Sequence, residues 1–312
     1  MDKVRIMVTC PPMLRMIDQV RHLYEEKDVE LVTPEVVQTL SEEELKELLP
    51  EMDGWIIGDD PATRAVFEAG KKGRLKAAVK WGVGVDNVDF KACEDLGIPI
   101  TNTPNSFGGE VADLAVGYLI GLARSSYQIH EAIKQGGWIK PSGQSIAGKT
   151  AAVVGLGDIG RNVVKRLRGF DLNLLGYDPY ADPSAVPDVT VKPFPEGLEE
   201  ADFVVLTCAL TDSSRHMINK DSLAKMKKGV KIINVARGGL IKESDLLDSM
   251  NSGHVAAAAL DVFEHEPVAA DNPLLQFEQN IFGSHNGSNT KEAVKRVSEK
   301  ATGYIFNYLN ID

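Results

Sequence analysis

An α/β fold is the class that this sequence predicts, with two doubly wound parallel sheets in two domains, one inserted into the other. Short β-rich runs alternate with charged helical patterns from the N-terminus, and a second alternating series begins near residue 150. A glycine-rich turn follows the first strand of that second series, so about half of the chain precedes it. Because such alternation is typical of β-α-β units, we predict one domain from residues 1–103 and 286–312 and an inserted domain from residues 104–285.

The bulk composition agrees with two globular domains. The 312 residues are 43% hydrophobic and 25% charged, which is ordinary for a chain that buries a core. The net charge of −11 disfavours a nucleic-acid partner, which would need a clustered excess of Lys and Arg. The three cysteines are widely spaced and form no C-x-x-C pair, which fits a reducing cytoplasm and neither a disulfide framework nor a zinc site. We therefore expect a cytoplasmic protein with no metal.

Neither a signal peptide nor a membrane span is predicted. The N-terminal segment MDKVRIMVTCPP lacks the apolar core and the small-residue cleavage site of a signal peptide. The longest apolar stretch, at residues 114–123, is about half as long as a span of the bilayer requires. We therefore expect no membrane partner.

In the first domain, four β-rich runs predict the strands of a parallel sheet. Helical patterns separate these runs, and Ser41 with Glu44 forms the sequence signature of a capping box at the start of one helix. The strand runs are residues 4–10, 29–33, 54–58 and 75–81.

The inserted domain begins with a segment, residues 110–138, that is helical by composition and is expected to be a long connector. Six apolar runs come next, and in each the apolar residues are followed by a polar residue or a glycine: TAAVVGLG, LNLLGYD, DFVVLTCAL, KIINVARGG, AAAALDVF and NIFGSHN. Ligands of open α/β sheets bind outside the carboxyl ends of the strands, so these ends are the predicted site. Apolar residues at helical spacing in 289–309 predict a final helix.

Gly155, Gly157 and Gly160 have the G-x-G-x-x-G spacing of a dinucleotide-binding turn. They follow an apolar strand and open a helix. The first glycine permits the tight turn, the second lets the backbone approach a pyrophosphate, and the third allows close packing of helix and strand. The helix N-terminus adds partial positive charge. The pattern predicts a Rossmann-type cofactor domain.

Asp178 indicates which dinucleotide is bound. It ends the next strand, 21 residues after Gly157, where a ribose-binding acid is expected. A carboxylate accepts from a free 2′-hydroxyl and repels a 2′-phosphate, and no Arg or Lys lies between Asp178 and Lys192 to receive that phosphate. The sequence therefore favours NAD over NADP.

The hexapeptide VFEHEP carries Glu264, His265 and Glu266 side by side. Two carboxylates around an imidazole fit a metal cluster or a local acid–base pair, and the spacing inside the hexapeptide does not decide between them. No third ligand at suitable spacing accompanies the three residues, which counts against the metal.

Several separated motifs resemble those of the D-isomer-specific 2-hydroxyacid dehydrogenase family, over nearly the whole chain. The resemblance implies a Rossmann-type cofactor domain inserted into a flavodoxin-like substrate domain. GSHNGSNT and GVGVDNVD are most similar to phosphoglycerate dehydrogenases, and we expect the regulatory C-terminal domain of longer members to be missing. The matching stretches are residues 80–89, 152–160, 234–247, 259–267 and 283–290.

The family's catalytic arginine, glutamate and histidine correspond to Arg237, Glu266 and His285. A guanidinium grips a substrate carboxylate bidentately, and an imidazole suits the proton transfer that accompanies hydride transfer. The resemblance makes His285 the base, with Glu266 accepting from its other ring nitrogen. Glu264 and His265 are then expected to be rim residues.

The resemblance also implies further cofactor contacts. Asp261 is similar to the residue that contacts the nicotinamide carboxamide. The other positions lie at the pyrophosphate, Asp158 and Ile159, and at the edge of the cofactor, Cys208 and Val235.

Substrate contacts are expected in the first domain. The backbone N–H groups of Val83 and Gly84 are candidates to hold a substrate carboxylate, since glycine allows close approach. Lys80 and Arg64 are candidates to bind a substrate phosphate, with a plain surface charge as the alternative.

Two positions depart from the family's pattern. Ala209 stands where proline is common, which is expected to loosen a turn near the adenosine without abolishing binding. Asn286 follows His285 where a smaller apolar residue is common, and it adds an amide near the base.

The resemblance predicts an NAD-dependent dehydrogenase acting on a small D-2-hydroxy acid, with 3-phosphoglycerate and phosphohydroxypyruvate as the first candidate pair. The alternatives are a glyoxylate or hydroxypyruvate reductase, and a non-enzymatic protein that reports NAD(H) occupancy to a partner. The resemblance also implies a homodimer formed through residues 124–143.

Overall fold

The computed structural model describes residues 3–312, which form two compact units. The first, unit 1, ends at Ser106 and also includes Asn289–Asp312, and the second, unit 2, is Phe107–Ser288. Both changes of unit lie three residues after the boundaries predicted from the sequence. Secondary-structure elements are numbered along the whole chain.

Unit 1 contains a sheet whose five strands, counted over the described residues, are all parallel to their neighbours. The strands are β1 (Arg5–Val8), β2 (Glu30–Val32), β3 (Gly54–Ile57), β4 (Ala77–Lys80) and β5 (Ile100–Asn102). Their order in the sheet is β2-β1-β3-β4-β5. The helices are α1 (Pro11–Arg15), α2 (Asp18–Glu25), α3 (Glu42–Leu48), α4 (Arg64–Lys72), α5 (Phe90–Leu96) and α11 (Lys291–Leu309).

Local sequence explains two helices of unit 1. The predicted capping box begins α3, since Ser41 Oγ accepts from Glu44 N and the Glu44 carboxylate accepts from Ser41 N. The predicted final helix is α11, and it packs directly on the sheet. A Cβ on Gly54 of β3 would lie 3.0 Å from Ile305 Cγ1. Its buried apolar stripe includes Val294, Val297, Ala301 and Ile305.

Unit 2 contains a second parallel sheet, with seven strands over the described residues. The strands are β6 (Thr150–Val154), β7 (Asn173–Tyr177), β8 (Thr190–Val191), β9 (Phe203–Leu206), β10 (Val230–Asn234), β11 (Val255–Leu260) and β12 (Ile281–Phe282). The order is β12-β11-β10-β9-β6-β7-β8. The chain runs from β6 to one side and then returns to β9 on the other, so the order reverses between β6 and β9. Such a switch point is where open α/β sheets bind their ligands.

The helices of unit 2 are α6 (Gly108–Arg124), α7 (Ser126–Lys134), α8 (Asp158–Leu167), α9 (Lys220–Lys225) and α10 (Glu243–Asn251). The helical connector predicted for residues 110–138 therefore consists of two helices, α6 and α7. Ser125 adopts φ 52°, which ends α6 and starts α7 in a new direction. The apolar α6 is buried and packs against α8, whereas α7 has no buried residue among those described.

Candidate functional site

The glycine turn after β6 forms an open cradle at the switch point of unit 2. Gly155 adopts φ +95°, and a Cβ there would lie 2.6 Å from the backbone of Cys208. A Cβ on Gly160 would lie 1.9 Å from the Gly155 carbonyl oxygen, whereas nothing lies within 4 Å of one on Gly157. Gly157 is also the N-cap residue of α8, so no side chain covers the first N–H groups of that helix. The turn suits a phosphate group.

Asp178 lies next to this cradle, at the end of β7. One carboxylate oxygen accepts from Leu156 N at 2.8 Å, and the other accepts from Tyr180 N at 2.8 Å. Two backbone N–H groups therefore orient the carboxylate, and each oxygen retains a further lone pair for a ribose hydroxyl. This arrangement fits the adenosine side of NAD.

The other proposed cofactor positions follow β6, β9 and β10 at the carboxyl edge of the sheet. Asp158 is the first residue of α8; its carboxylate accepts from Asn162 Nδ2 at 3.2 Å and faces the start of α6 at Gly108. Ile159 follows it in the first turn, and Val235 is buried just after β10. Burial raises the pKa of the Cys208 thiol to about 11, so this cysteine is a neutral packing group beside the turn.

The side chains of His285 and Glu266 meet at the carboxyl ends of β11 and β12. His285 Nδ1 lies 2.8 Å from Glu266 Oε2, and the two side chains are 25% and 23% exposed. The other Glu266 oxygen accepts from Phe263 N at 2.9 Å, which fixes the carboxylate. With Nδ1–H donating to Glu266, Nε2 of the neutral ring is the nitrogen that accepts a proton.

Asp261 supports the loop that carries His285. Its side chain is 1% exposed, and its carboxylate accepts from Asn286 N at 3.2 Å, Gly287 N at 2.9 Å and the Tyr118 hydroxyl at 3.3 Å. Its carbonyl oxygen accepts from His285 N at 2.6 Å. These bonds hold His285 at φ +55°, a backbone conformation that is uncommon for a residue other than glycine. The resemblance implied a cofactor contact for Asp261, but it did not predict the hydrogen bonds from the loop of His285 to Asp261.

Tyr118, on α6, was not predicted from the sequence as a residue near the candidate site. Its hydroxyl reaches Asp261 from a buried position, where burial and the neighbouring carboxylate raise the pKa of the phenol well above its usual range. A phenol in the middle of an apolar helix has no sequence signal that separates it from ordinary core packing. Only the fold brings it to a carboxylate that is 143 residues away in the chain.

Arg237 follows β10, beside the segment that carries Glu266. Its carbonyl oxygen accepts from Asn234 Nδ2 at 2.8 Å, and its guanidinium donates to Ala236 O at 2.9 Å. A Cβ on the next residue, Gly238, would lie 1.8 Å from the Phe263 carbonyl oxygen. The turn after Arg237 can therefore pack against the segment that follows β11 only because it has no side chain there.

In unit 1, Lys80 ends β4 and is 2% exposed. Its ammonium group donates to Gly58 O at 2.6 Å, Asp59 Oδ1 at 3.1 Å and Trp81 O at 3.2 Å. An ammonium has three N–H groups, so these three acceptors brace the loop that begins at Trp81. Further along that loop, Val83 is exposed.

Arg64, the other candidate for a substrate phosphate, lies at the start of α4. Its guanidinium is paired with the Asp95 carboxylate at 2.7 Å on the surface of unit 1. Gly84 lies two residues before Asp86 in the exposed loop, and its backbone is partly accessible.

The triplet Glu264-His265-Glu266 is divided among different partners. Glu266 pairs with His285, and Glu264 pairs with His216 at 2.6 Å. The Glu264 side chain is 24% exposed, so the expected rim residue is also held by a contact to an imidazole. His265 is exposed. Among residues 3–312, no group of three His, Cys, Asp or Glu side chains is arranged to hold a metal ion.

Comparison with known proteins places these features in a family. A model described as the NAD-binding domain of D-isomer specific 2-hydroxyacid dehydrogenases matches residues 116–287. The D-3-phosphoglycerate dehydrogenase of Methanocaldococcus jannaschii is 39% identical over 308 residues, which cover 97% of this chain and 56% of that protein. The hydroxypyruvate reductase of Thermotoga maritima is 38% identical over 277 residues, which cover 87% of this chain and 90% of the reductase.

A solved structure is also similar over nearly the whole chain. The glyoxylate reductase from Paecilomyes thermophila has a TM-score of 0.83 and 29% identity, and the match covers 97% of this chain and 94% of that one. The chain spans about half the length of the phosphoglycerate dehydrogenases that it matches, at 56% of the Methanocaldococcus jannaschii protein and 42% of a chloroplastic one from Arabidopsis thaliana. Within residues 3–312, none of the helices combines the length and the apolar composition of a membrane span.

Proposed function

Because this chain belongs to the D-isomer specific 2-hydroxyacid dehydrogenase family, we propose that it is an NAD-dependent dehydrogenase of a small D-2-hydroxy acid. The observation that carries the proposal is the 2.8 Å contact between His285 Nδ1 and the Glu266 carboxylate at the carboxyl edge of a parallel sheet. Arg237 follows β10, the strand that pairs with β11, so the proposed base and the proposed carboxylate-binding cation lie at the same edge of the sheet.

The cofactor side of unit 2 fits NAD. The glycine cradle and the helix N-terminus suit a pyrophosphate, and the Asp178 carboxylate suits a ribose with a free 2′-hydroxyl. When it is bound, NAD supplies the hydride acceptor, and its reduced form supplies the hydride donor.

The chain's own residues supply the proton and hold the substrate. His285 Nε2 takes the proton from the substrate hydroxyl during oxidation and returns it to the carbonyl oxygen during reduction. Glu266 accepts from Nδ1–H, which fixes the tautomer and favours the imidazolium that forms. Arg237 is permanently charged and is proposed to bind the substrate carboxylate through its planar guanidinium.

The substrate pair that we propose first is 3-phosphoglycerate and phosphohydroxypyruvate. The names of the relatives support two readings, since one is a phosphoglycerate dehydrogenase and another a hydroxypyruvate reductase. In unit 1 we propose that the backbone N–H groups of Val83 and Gly84 contact the acidic substrate. Lys80 was the candidate for a substrate phosphate; with its three acceptors inside the unit, we propose that it supports this loop.

A substrate panel tests the activity. The purified protein is mixed with NADH and, in turn, phosphohydroxypyruvate, hydroxypyruvate, glyoxylate and pyruvate, and the loss of NADH absorbance is followed. We expect turnover with at least one of these keto acids, and weaker use of NADPH because Asp178 repels a 2′-phosphate. NADH binding without turnover on any of the four would contradict the proposal and favour a protein that senses NAD(H).

We further propose that the protein is a homodimer in the cytoplasm. The segment 124–143 exposes several large apolar side chains, which is typical of a surface that packs against a partner. They are Tyr127, Ile133, Trp138 and Ile139. Light scattering should give twice the mass of the chain, and a monomeric mass at micromolar concentration would contradict the dimer.

A further inference from the structure

We propose that Glu264 and His216 form a second histidine–carboxylate pair, which positions the segments that carry Glu266 and Arg237. Glu264 lies two residues before Glu266, yet its partner comes from a different part of unit 2. The inference rests on the dehydrogenase function proposed above, and it assigns both members of the pair a positioning role.

Contacts on both sides of the Glu264 carboxylate hold it in one orientation. Oε1 lies 2.6 Å from His216 Nε2, and Oε2 accepts from Glu243 N at 3.0 Å. Glu243 is the first residue of α10, so the carboxylate also lies where a helix favours negative charge. The two side chains of the pair, Glu264 and His216, are 24% and 38% exposed, so water competes only in part for the contact between them.

The backbone of Glu264 is held by the same helix. Glu264 N donates to Glu243 Oε1 at 2.7 Å, while the second Glu243 oxygen accepts from Asn272 Nδ2 at 3.0 Å. Glu264 and Glu243 thus exchange hydrogen bonds in both directions, each carboxylate accepting from the other residue's N–H group. The arrangement fixes the main chain one residue after Phe263.

Phe263 connects this arrangement to the proposed catalytic carboxylate. Its N–H group donates to Glu266 Oε1 at 2.9 Å, while Glu266 Oε2 faces His285. A shift of the main chain at Glu264 therefore moves the donor that orients Glu266. A small displacement of a reacting group lowers the rate of the reaction strongly.

The His216 end reaches the turn that follows Arg237. His216 N donates to Gly239 O at 2.8 Å. On the other side of this turn, a Cβ on Gly238 would lie 2.4 Å from Glu264 N. The turn is therefore in contact with both members of the pair, and the pair joins the segment of Arg237 to that of Glu266.

Three variants test the positioning role: Glu264→Ala, Glu264→Gln and, as the control, His265→Ala. We expect Glu264→Ala to lower kcat about tenfold while KM for NADH stays close to that of the wild type. Glu264→Gln should restore most of the loss, because its amide accepts from Glu243 N and donates to a neutral His216 ring. His265→Ala should match the wild type, since that exposed ring lies outside the pair.

A second readout does not depend on turnover. In protein labelled with 15N-histidine, the NMR signal of the His285 Nδ1–H group reports its hydrogen bond to Glu266. We expect this signal to weaken or move in Glu264→Ala and to persist in Glu264→Gln and His265→Ala. His216→Ala leaves the Glu243 contacts in place, so it tests the pair if Glu264→Ala does not fold, and it should change kcat and the signal in the same direction.

The outcomes separate the two proposals. A wild type without turnover defeats the proposed function, and the NMR signal alone then decides the positioning role. Unchanged kcat and an unchanged His285 signal in both Glu264→Ala and His216→Ala would overturn that role. Equal losses in Glu264→Ala and Glu264→Gln that follow a drop in Tm would overturn it as well, because they would indicate a contribution to stability alone.

Discussion

The amino edges of both sheets and the carboxyl edge of the sheet in unit 2 use their carboxylates differently. At the amino edge, Asp53 in unit 1 and Asp202 in unit 2 each stand directly before a strand. Each accepts from a backbone N–H group of the neighbouring strand, Arg5 N at 3.0 Å and Thr150 N at 3.0 Å. Each also forms ion pairs with Lys or Arg side chains. Both units therefore contain a carboxylate that is held by a backbone N–H group of the neighbouring strand and by cationic side chains.

At the carboxyl edge of unit 2, the carboxylates contact backbone N–H groups, a phenol and an imidazole. Asp178 accepts from backbone N–H groups, Asp261 accepts from backbone N–H groups and the Tyr118 hydroxyl, and Glu266 pairs with His285. Lysine and arginine stay charged at neutral pH, whereas an imidazole takes up and releases a proton there. The carboxylates of the amino edges therefore pair with permanently charged side chains, whereas the carboxyl edge of unit 2 holds the groups that we propose for chemistry.

The pKa values at the amino edge follow from these partners. Burial disfavours the ionised form of Asp202, but Lys227 and the Thr150 N–H group outweigh it and hold the pKa below its usual range. Asp53 behaves in the same way, with burial opposed by Arg5 N–H, Lys76 and other cations. A lowered pKa in the folded state means that ionisation of the carboxylate stabilises the fold.

The largest effect is expected at the carboxyl edge, from His285→Ala. Removing the proposed base should lower kcat by about 10³-fold, which is within the usual contribution of general acid–base catalysis. The dissociation constant for NADH, measured by fluorescence titration, should stay near the wild-type value because the cofactor cradle is untouched. Turnover close to wild type would contradict the role of His285.

The next effect tests the amino edge, through Asp202→Ala. We expect a loss of about 2 kcal/mol in the free energy of unfolding at neutral pH, since a hydrogen-bonded, charged partner of Lys227 is removed. The difference in unfolding free energy between wild type and variant should vanish as the pH falls below the lowered pKa of Asp202. The wild-type carboxylate is then protonated and no longer forms a charged pair with Lys227. Urea unfolding at several pH values measures this difference, with the exposed Asp212→Ala as the control. A pH-independent difference would contradict the ionic explanation.

A smaller effect is expected from Tyr118→Phe, which tests the support beneath His285. The change removes one donor to the buried Asp261 carboxylate, at an expected cost of about 1 kcal/mol in unfolding free energy. Turnover should fall several-fold because the His285 loop is less firmly held. Thermal unfolding and steady-state kinetics measure both effects, and Tyr308→Phe in unit 1 is the matched control. If the variant lost stability but kept full turnover, the hydrogen bond to Asp261 would not be needed to orient His285.

The smallest effect is expected from His265→Ala, in the triplet itself. His265 is exposed and adjoins both Glu264 and Glu266, whose histidine partners are His216 and His285. We expect kcat and Tm to match the wild type within experimental error. A large loss of turnover would mean that the nearest imidazole takes part after all.

Much of the fold was predictable because it depends on local patterns. Runs of buried apolar residues that end in glycine or polar residues predicted both parallel sheets, and the glycine spacing placed the cofactor turn at Gly155. The break at Ser125 was not predictable, since the segment on either side is a good helix former and one residue with φ 52° divides it. Tertiary packing decides such a break, and propensity does not resolve it.

The candidate site shows where local patterns stop being informative. Spacing and resemblance predicted Arg237, Glu266 and His285 as site residues, and all three follow strands that end at one edge of a parallel sheet. Which histidine faces which carboxylate depends on how loops far apart in the chain return to that edge. Hydrogen-bond partners are chosen by distances of about 3 Å, whereas spacing along the chain carries no such information once several loops intervene. The strand runs, the glycine turn and the candidate catalytic residue types thus follow from the sequence, because they depend on local patterns and resemblance. The order of the strands in each sheet and the pairing of Glu264 with His216 are settled only by the folded geometry.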